Sequence, residues 1–160
     1  MIQAITATNL TAYIQTEDNR INTSVASSKI RHLVKFTNDI DKSIQYAYGT
    51  TETIYNRYTK FTFTYNTTKD IYTGDVNFLP AGYWKYEAYE VSWVGDVRVL
   101  SGYAPATEDD VLEPAASNKG VVQGLVTKGK MYVAEKDGTE QVQYTQRQEP
   151  AGTNYIYYGQ

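Results

Sequence analysis

Residues 77–94, NFLPAGYWKYEAYEVSWV, combine the strongest strand signal in the chain with its sharpest turn signal. The Pro-Ala-Gly triplet places a residue of fixed φ before one that adopts positive φ without strain, and this combination favours a turn. Beyond the triplet the residues alternate onto two faces, one of which gathers Trp84, Tyr86 and Ala88. Helical spacing would instead bring Glu87 beside Trp84. We therefore predict a long, central antiparallel strand whose Trp84 face points into the core.

A second strong strand is predicted at residues 57–65, where Phe61 and Phe63 share one face and threonines occupy the other. We expect this apolar face to join Trp84 and Tyr86 in a single core. Strand-like segments recur at intervals of roughly 8 to 14 residues with polar turns between them, which indicates an antiparallel sandwich or barrel. Further strands are predicted at 2–8, 10–16, 30–37, 42–48, 71–78 and 97–100, and a loop or helical turn is predicted at 49–55.

The composition changes along the chain and suggests three parts. Residues 1–102 are predicted to form the main β-sandwich domain. Residues 103–120 hold two of the four prolines and few strand formers, so an extended loop or linker is expected there. Residues 121–160 are predicted to form a C-terminal β unit of hairpins and an arm, with turns at 128–130 and 137–138. This unit has little apolar content, so we expect it to dock on the first domain or on a neighbour.

Composition and charge exclude several classes of function. The chain has a net charge of −3 with both signs interspersed, so neither nucleic acid nor a membrane is expected as a partner. Cysteine is absent, which excludes disulfides, a thiol nucleophile and cysteine-ligated metal. The first residues show no secretory signal, and we expect a soluble protein made in a cytoplasm. The 16 tyrosines suit half-buried sheet faces and surfaces that meet a partner.

No constellation of residues indicates catalysis. His32 is the only histidine and lies among apolar residues of a predicted strand face, so a packing role is expected. The acidic stretches 38–41 and 108–110 lack the glycine and distal glutamate of a calcium loop, and solvated turns are expected. Glu87 and Glu90 have an odd separation along one strand, so they point to opposite faces and cannot flank one glycosidic bond. We predict a protein that is not an enzyme and holds no metal or cofactor.

One short motif carries a resemblance to a fold. The string LPAGYWKY at 79–86 resembles the L-P-x-G-x-Y-x-Y corner by which many immunoglobulin-like and prealbumin-like β-sandwich modules enter an inner strand. Trp84 stands where that pattern usually has tyrosine. The resemblance implies an all-β, antiparallel immunoglobulin-like β-sandwich, here with a C-terminal β-hairpin and arm, and it implies no function.

A second resemblance concerns function. The ordered set FTND at 36–39, YNRYTKF at 55–61 and LPAGYWKYEAYE at 79–90 is similar to small virion proteins of tailed bacteriophages, including capsid-decorating ones. The resemblance implies a non-enzymatic structural protein that decorates or stabilises the outside of a capsid. It also implies that the partners are the major capsid protein or other virion subunits. The expected location is the virion, after synthesis in the cytoplasm of the host bacterium.

Two alternatives stay open at this point. One is another position in the virion, such as the tail, the connector or the base of a fibre. The other is a carbohydrate-binding β-sandwich with a glycan as partner, because tyrosine and tryptophan on a sheet face stack on sugar rings. The second alternative requires at least two aromatic side chains that are exposed together in the free protein.

The C-terminal segment is predicted to bind a partner. Tyr155, Ile156, Tyr157 and Tyr158 follow the Pro-Ala-Gly break at 150–152, at a terminus where polar residues are usual. An edge strand of this composition would leave an aromatic face or a row of backbone donors unpaired. A second copy or the capsid would satisfy both by strand addition. Docking on the chain's own first domain is the alternative.

Overall fold

The structure, a computed structural model, describes residues 1–113 and 118–137. Within these ranges the chain forms nine β-strands, two short 3-10 helices at Glu17–Asn19 and Ser27–Lys29, and no α-helix. The predicted all-β class is therefore confirmed. The strands are β1 (Ile2–Ile5), β2 (Leu10–Ile14), β3 (Ile30–Asn38), β4 (Ile44–Tyr48), β5 (Thr51–Ile54), β6 (Thr59–Tyr65), β7 (Asp75–Val76), β8 (Gly82–Ser92) and β9 (Val121–Ala134).

Strand β8 lies at the centre of a five-stranded sheet with the order β1-β9-β8-β3-β4, as its alternation predicts. It pairs antiparallel with β3 along one edge and with β9 along the other. At the far side of the sheet β1 runs parallel to β9, with Ile2 opposite Met131. The expected all-antiparallel arrangement is wrong here, because spacing along the chain does not encode a pairing between strands so distant in sequence.

The second, smaller sheet has the order β2-β6-β5, and the short β7 runs parallel beside β6. Strands β1 and β2 are consecutive in the chain but lie in different sheets. The predicted strands at 2–8, 10–16, 30–37, 42–48 and 57–65 are confirmed within a few residues. The predicted loop at 49–55 is wrong, because β5 forms there and pairs with β6.

The main core lies where the two sheets face each other. Trp84, Phe61 and Phe63 are fully buried in it, while Tyr86 packs against its edge and is half-buried. The Trp84 ring meets Phe78 edge-on at 5.5 Å between centroids. Its indole Nε1–H donates to the Pro80 carbonyl at 3.1 Å. Trp84 is thus bonded to the backbone four residues before it, at the start of β8.

A second apolar cluster covers part of the outer face of the large sheet. Trp93 and Tyr48 are buried in it under a segment that follows β8 and includes the buried Ala104. The Tyr48 hydroxyl donates to the Pro105 carbonyl at 2.8 Å. Val97 packs against the cluster without pairing as a strand, so the strand predicted at 97–100 is wrong. Of the strand predicted at 71–78, only Asp75–Val76 forms.

Strand β9 corrects the prediction for the C-terminal part of the chain. The sequence predicts two strands separated by a turn at 128–130, but Val121–Ala134 is one continuous strand between β1 and β8. Gly129 lies opposite Tyr86, and a Cβ there would sit 2.6 Å from the Tyr86 hydroxyl oxygen. The glycine thus makes room for a ring on the neighbouring strand. The division into 1–102, 103–120 and 121–160 stays a prediction, and the hairpin turn at 137–138 extends beyond the described residues.

Glu108 ties the segment after β8 to the large sheet. Its carboxylate accepts hydrogen bonds from Lys35 Nζ and the Tyr46 hydroxyl, and the Lys35 and Glu108 side chains are each 17% exposed. The prediction of a solvated acidic turn is therefore wrong for this residue. Burial alone would raise the pKa of Glu108, but the two hydrogen bonds outweigh it and lower that pKa. The bond to Glu108 raises the pKa of Lys35, and burial is the main cause that raises the pKa of Tyr46 to about 12.

We expect Glu108→Gln to lower the free energy of unfolding by about 1 to 3 kcal/mol near neutral pH. Because the folded protein lowers the pKa of Glu108, its stabilisation is complete above the pKa of the unfolded chain and is lost as the pH falls through the folded pKa. The difference between parent and variant should therefore shrink in acid. Urea denaturation at about pH 7 and about pH 3 tests this. Asp109→Asn, at the exposed neighbouring acid, is the control, and an equal loss there would contradict the prediction.

Candidate binding surfaces

Three tyrosines form an exposed group on the outer face of the small sheet. Tyr13, Tyr55 and Tyr58 are 59%, 45% and 38% exposed. The ring centroids of Tyr13 and Tyr58 lie 5.4 Å apart in an edge-on arrangement, and those of Tyr55 and Tyr58 lie 4.9 Å apart. We call this group the tyrosine surface. It presents three neighbouring aromatic rings to solvent.

The tyrosine surface is built by the hairpin between β5 and β6. Ile54 pairs with Thr59, and the Tyr55 amide donates to the Tyr58 carbonyl at 2.9 Å, so the two tyrosines face each other beside the turn. Along β6 the residues Thr59, Phe61 and Phe63 point into the core, so Tyr58 and Lys60 point outwards. Tyr13 of β2 lies opposite Lys60 and reaches the same outer face.

A polar cleft of about 650 Å³ opens next to the tyrosine surface. Tyr55 belongs to both, and the other side chains used below are Glu17, Ser27, Arg31, Glu52 and Asn56. This volume falls in the range of about 300 to 1,000 Å³ that is usual for sites of small ligands. The lining therefore joins one aromatic ring to several hydrogen-bonding side chains.

The inner wall of the cleft is fixed by a buried pair. His32 Nδ1 lies 2.6 Å from Glu52 Oε1, and the His32 amide donates to Glu52 Oε2 at 3.1 Å. The His32 and Glu52 side chains are only 3% and 2% exposed, and the His32 ring packs edge-on against Phe61. Both carboxylate oxygens of Glu52 are thus engaged by one residue of β3. The pair attaches β5 of the small sheet to β3 of the large sheet.

A second buried acid, Glu90 of β8, holds a neighbouring loop. This residue is fully buried, and its carboxylate accepts from the backbone amides of Ile21 and Asn22 at 2.8 Å each. These contacts hold the loop between the two 3-10 helices, and that loop leads to Ser27 in the cleft. Glu87 lies on the other face of β8, where the Tyr89 hydroxyl donates to it at 3.4 Å. The prediction that Glu87 and Glu90 point to opposite faces is confirmed.

A second exposed aromatic group lies on the outer face of the large sheet. Tyr83 and Tyr132 are cross-strand partners with ring centroids 5.1 Å apart, and they are 55% and 38% exposed. Ile5 of β1 lies on the same face and is 47% exposed. We call Ile5, Tyr83 and Tyr132 the outer-face patch. It lies at the end of β8 away from the buried Trp93.

The structure places the predicted site residues in different ways. The four predicted core residues, Trp84, Tyr86, Phe61 and Phe63, come together between the sheets. The predicted partner-binding residues Tyr155, Ile156, Tyr157 and Tyr158 lie outside the described residues. The tyrosine surface was not predicted from the sequence. The alternation of β6 does contain a signal for it. Phe61 and Phe63 point into the core, so Tyr58, at an odd separation from both, must point away from it.

Comparisons with protein-family models, with curated proteins and with solved structures gave no match. In residues 1–113 and 118–137, no group of three or more acidic or histidine side chains is arranged to hold a metal ion. The same ranges contain no helix long and apolar enough to span a membrane.

Proposed function

We propose that the chain is a non-enzymatic structural protein of a tailed-bacteriophage virion and lies on the outside of the capsid. The motifs at 36–39, 55–61 and 79–90, which resemble those of small virion proteins, support this proposal. We also propose that the two-sheet fold is a variant of the immunoglobulin-like sandwich. The Trp84 contact with the Pro80 carbonyl supports this finer assignment, because the corner of such folds also bonds an aromatic side chain to the backbone a few residues upstream.

The observation that carries the proposal is the outer-face patch. Tyr83, Tyr132 and Ile5 form an exposed apolar group on a sheet face, and tyrosine is enriched where proteins contact each other. A module of this size contacts a capsid subunit through a small area. Its repetition over the shell, or contacts to several subunits at once, would raise the overall strength of attachment. The major capsid protein is the proposed partner, and further copies of the chain or other virion subunits are the alternatives.

The test is the location of the chain in intact particles. We expect a density map of the particle to show the two-sheet module repeated on the outer surface of the capsid, with the outer-face patch against a capsid subunit. Density at the tail, the connector or a fibre base would replace the proposal by its alternative. Absence of the chain from purified particles would refute both.

A pair of variants tests the contact surface. Tyr83→Ala combined with Tyr132→Ala is expected to lower the number of copies bound per particle by about tenfold or more, because the variant removes both rings of the patch. Tyr13→Ala combined with Tyr58→Ala removes two equally exposed rings elsewhere and should leave occupancy unchanged. Quantification of the protein in particles assembled with each variant gives the answer. Equal occupancy for both double variants would contradict the assignment of the patch.

A further inference from the structure

We infer that the tyrosine surface and the polar cleft beside it form one binding site for a neutral saccharide. This inference goes beyond the virion proposal, since it concerns a different surface from the outer-face patch and does not depend on where the protein resides. The condition that the sequence sets for carbohydrate binding, at least two aromatic side chains exposed together, is met by Tyr13, Tyr55 and Tyr58.

The aromatic part of the site suits the apolar face of a sugar ring. The face of a tyrosine ring carries negative charge density and attracts the weakly positive C–H groups that one side of a pyranose presents. Tyr58 contacts both other rings of the surface, so the three rings hold one another in position. Among the described residues the structure gives none of the three hydroxyls a hydrogen-bond partner. They are therefore free to bond to sugar hydroxyls.

The polar part of the site suits the hydroxyl groups. Each sugar hydroxyl donates and accepts, so its site must offer both kinds of group. Arg31 uses one guanidinium N–H on the Ile30 carbonyl at 2.7 Å and keeps the remaining donors of its five. Asn56 offers an amide, Ser27 a hydroxyl, and the Glu17 carboxylate accepts no hydrogen bond within the described residues. Planar groups such as a guanidinium or a carboxylate match two adjacent hydroxyls at once.

The charges of the cleft select a neutral ligand. Its lining contains one cationic side chain, Arg31, and two carboxylates, Glu17 and Glu52. The oxygens of Glu52 are both engaged by His32, so Arg31 and Glu17 are the charges that face a ligand. They balance each other, and an acidic sugar or a phosphate would find no excess of positive charge. A neutral sugar binds through hydrogen bonds of its hydroxyls, and these require no excess of positive charge.

Tyr55 is the residue that joins the two parts. It lines the cleft and lies 4.9 Å from the ring of Tyr58. A saccharide with one ring stacked on the tyrosine surface would therefore place its next ring, or its own hydroxyls, at the mouth of the cleft. This arrangement favours an oligosaccharide over a single sugar, because both parts are then occupied.

The test uses the whole chain and an array of neutral oligosaccharides together with sialic-acid and uronic-acid oligosaccharides. We expect binding to neutral members, followed by a measurable dissociation constant in solution for the neutral oligosaccharide that gives the strongest array signal. Tyr55→Ala and Arg31→Met should each weaken that binding by about tenfold or more, while thermal unfolding shows both variants folded. Tyr83→Ala is the matched control, an exposed tyrosine on the other sheet, and should bind as the parent does.

Three outcomes would overturn the inference. They are no binding to any array member, binding confined to acidic members, or an equal loss of binding in Tyr83→Ala and Tyr55→Ala. The virion proposal is tested separately, because Tyr55→Ala should leave particle occupancy unchanged and the Tyr83 and Tyr132 double variant should leave saccharide binding unchanged. Failure of one proposal is thus distinguishable from failure of the other.

Discussion

Replacement of Trp84 by alanine is expected to lower the free energy of unfolding by about 3 to 5 kcal/mol. Trp84 is 1% exposed and packs between the sheets against Phe78, so its removal leaves a large cavity beside the Phe78 ring. The variant also leaves the Pro80 carbonyl without the indole donor. Urea denaturation followed by circular dichroism measures the loss, because strands of both sheets pack on the core that contains Trp84.

Two neighbouring variants separate packing from hydrogen bonding. Trp84→Phe keeps much of the apolar volume and loses the bond to Pro80, so it should cost less than alanine and more than about 1 kcal/mol. Tyr83→Ala changes the adjacent residue, which is 55% exposed, and should alter stability by less than about 1 kcal/mol. The prediction is wrong if Trp84→Ala and Tyr83→Ala are equally stable.

Glu90→Ala is the second change with a large expected effect, a loss of about 2 to 4 kcal/mol in the free energy of unfolding. The buried carboxylate serves two backbone amides, those of Ile21 and Asn22, and an alanine leaves both without their acceptor. Thermal unfolding measures the global loss. Hydrogen exchange at these two amides should accelerate more than exchange at the other backbone amides.

Glu87→Ala is the matched control for Glu90. It removes the same side chain three residues earlier on the other face of β8, where Glu87 is half-buried and bonds only loosely to Tyr89. A change of less than about 1 kcal/mol is expected. If the amides of Ile21 and Asn22 exchange at parental rates in Glu90→Ala, the proposed anchoring of the loop is refuted.

Local alternation was sufficient to predict the central strand and its core face. Trp84, Phe61 and Phe63 were assigned to one core because each lies in a run with a two-residue period, and burial enforces that period wherever one face of a sheet is covered. The strands at 30–37 and 42–48 are predicted for the same reason, and in the structure β3 and β4 pair antiparallel. Such features need only neighbours in sequence.

Gly129 shows where prediction from neighbouring residues fails. Between two lysines it has the signature of a turn, yet its role is to accommodate the ring of Tyr86 from the next strand. The reason for the glycine lies on another strand, so no window of sequence around it contains the information. The error divided one strand, β9, into two.

The candidate site depends on contacts of the same long-range kind. His32 and Glu52 pair across the two sheets, and Glu90 holds a loop near Ile21. The sequence around each acid does not show which residues it will contact, and β5 itself has few apolar residues to mark it as a strand. Only the outward phase of Tyr58 could have been read from the sequence.

The parallel pairing of β1 with β9 determines the order in which the sheet can be assembled. Ile2 is synthesised long before its partner Met131, and β9 is also the strand that separates β1 from β8. A nascent chain without Val121–Ala134 therefore exposes an unpaired edge of β8 and an unpaired β1. Such edges pair readily with other chains. Because so many contacts join distant residues, folding should be slow. The growing chain stays prone to aggregation until β9 has been synthesised and covers these edges.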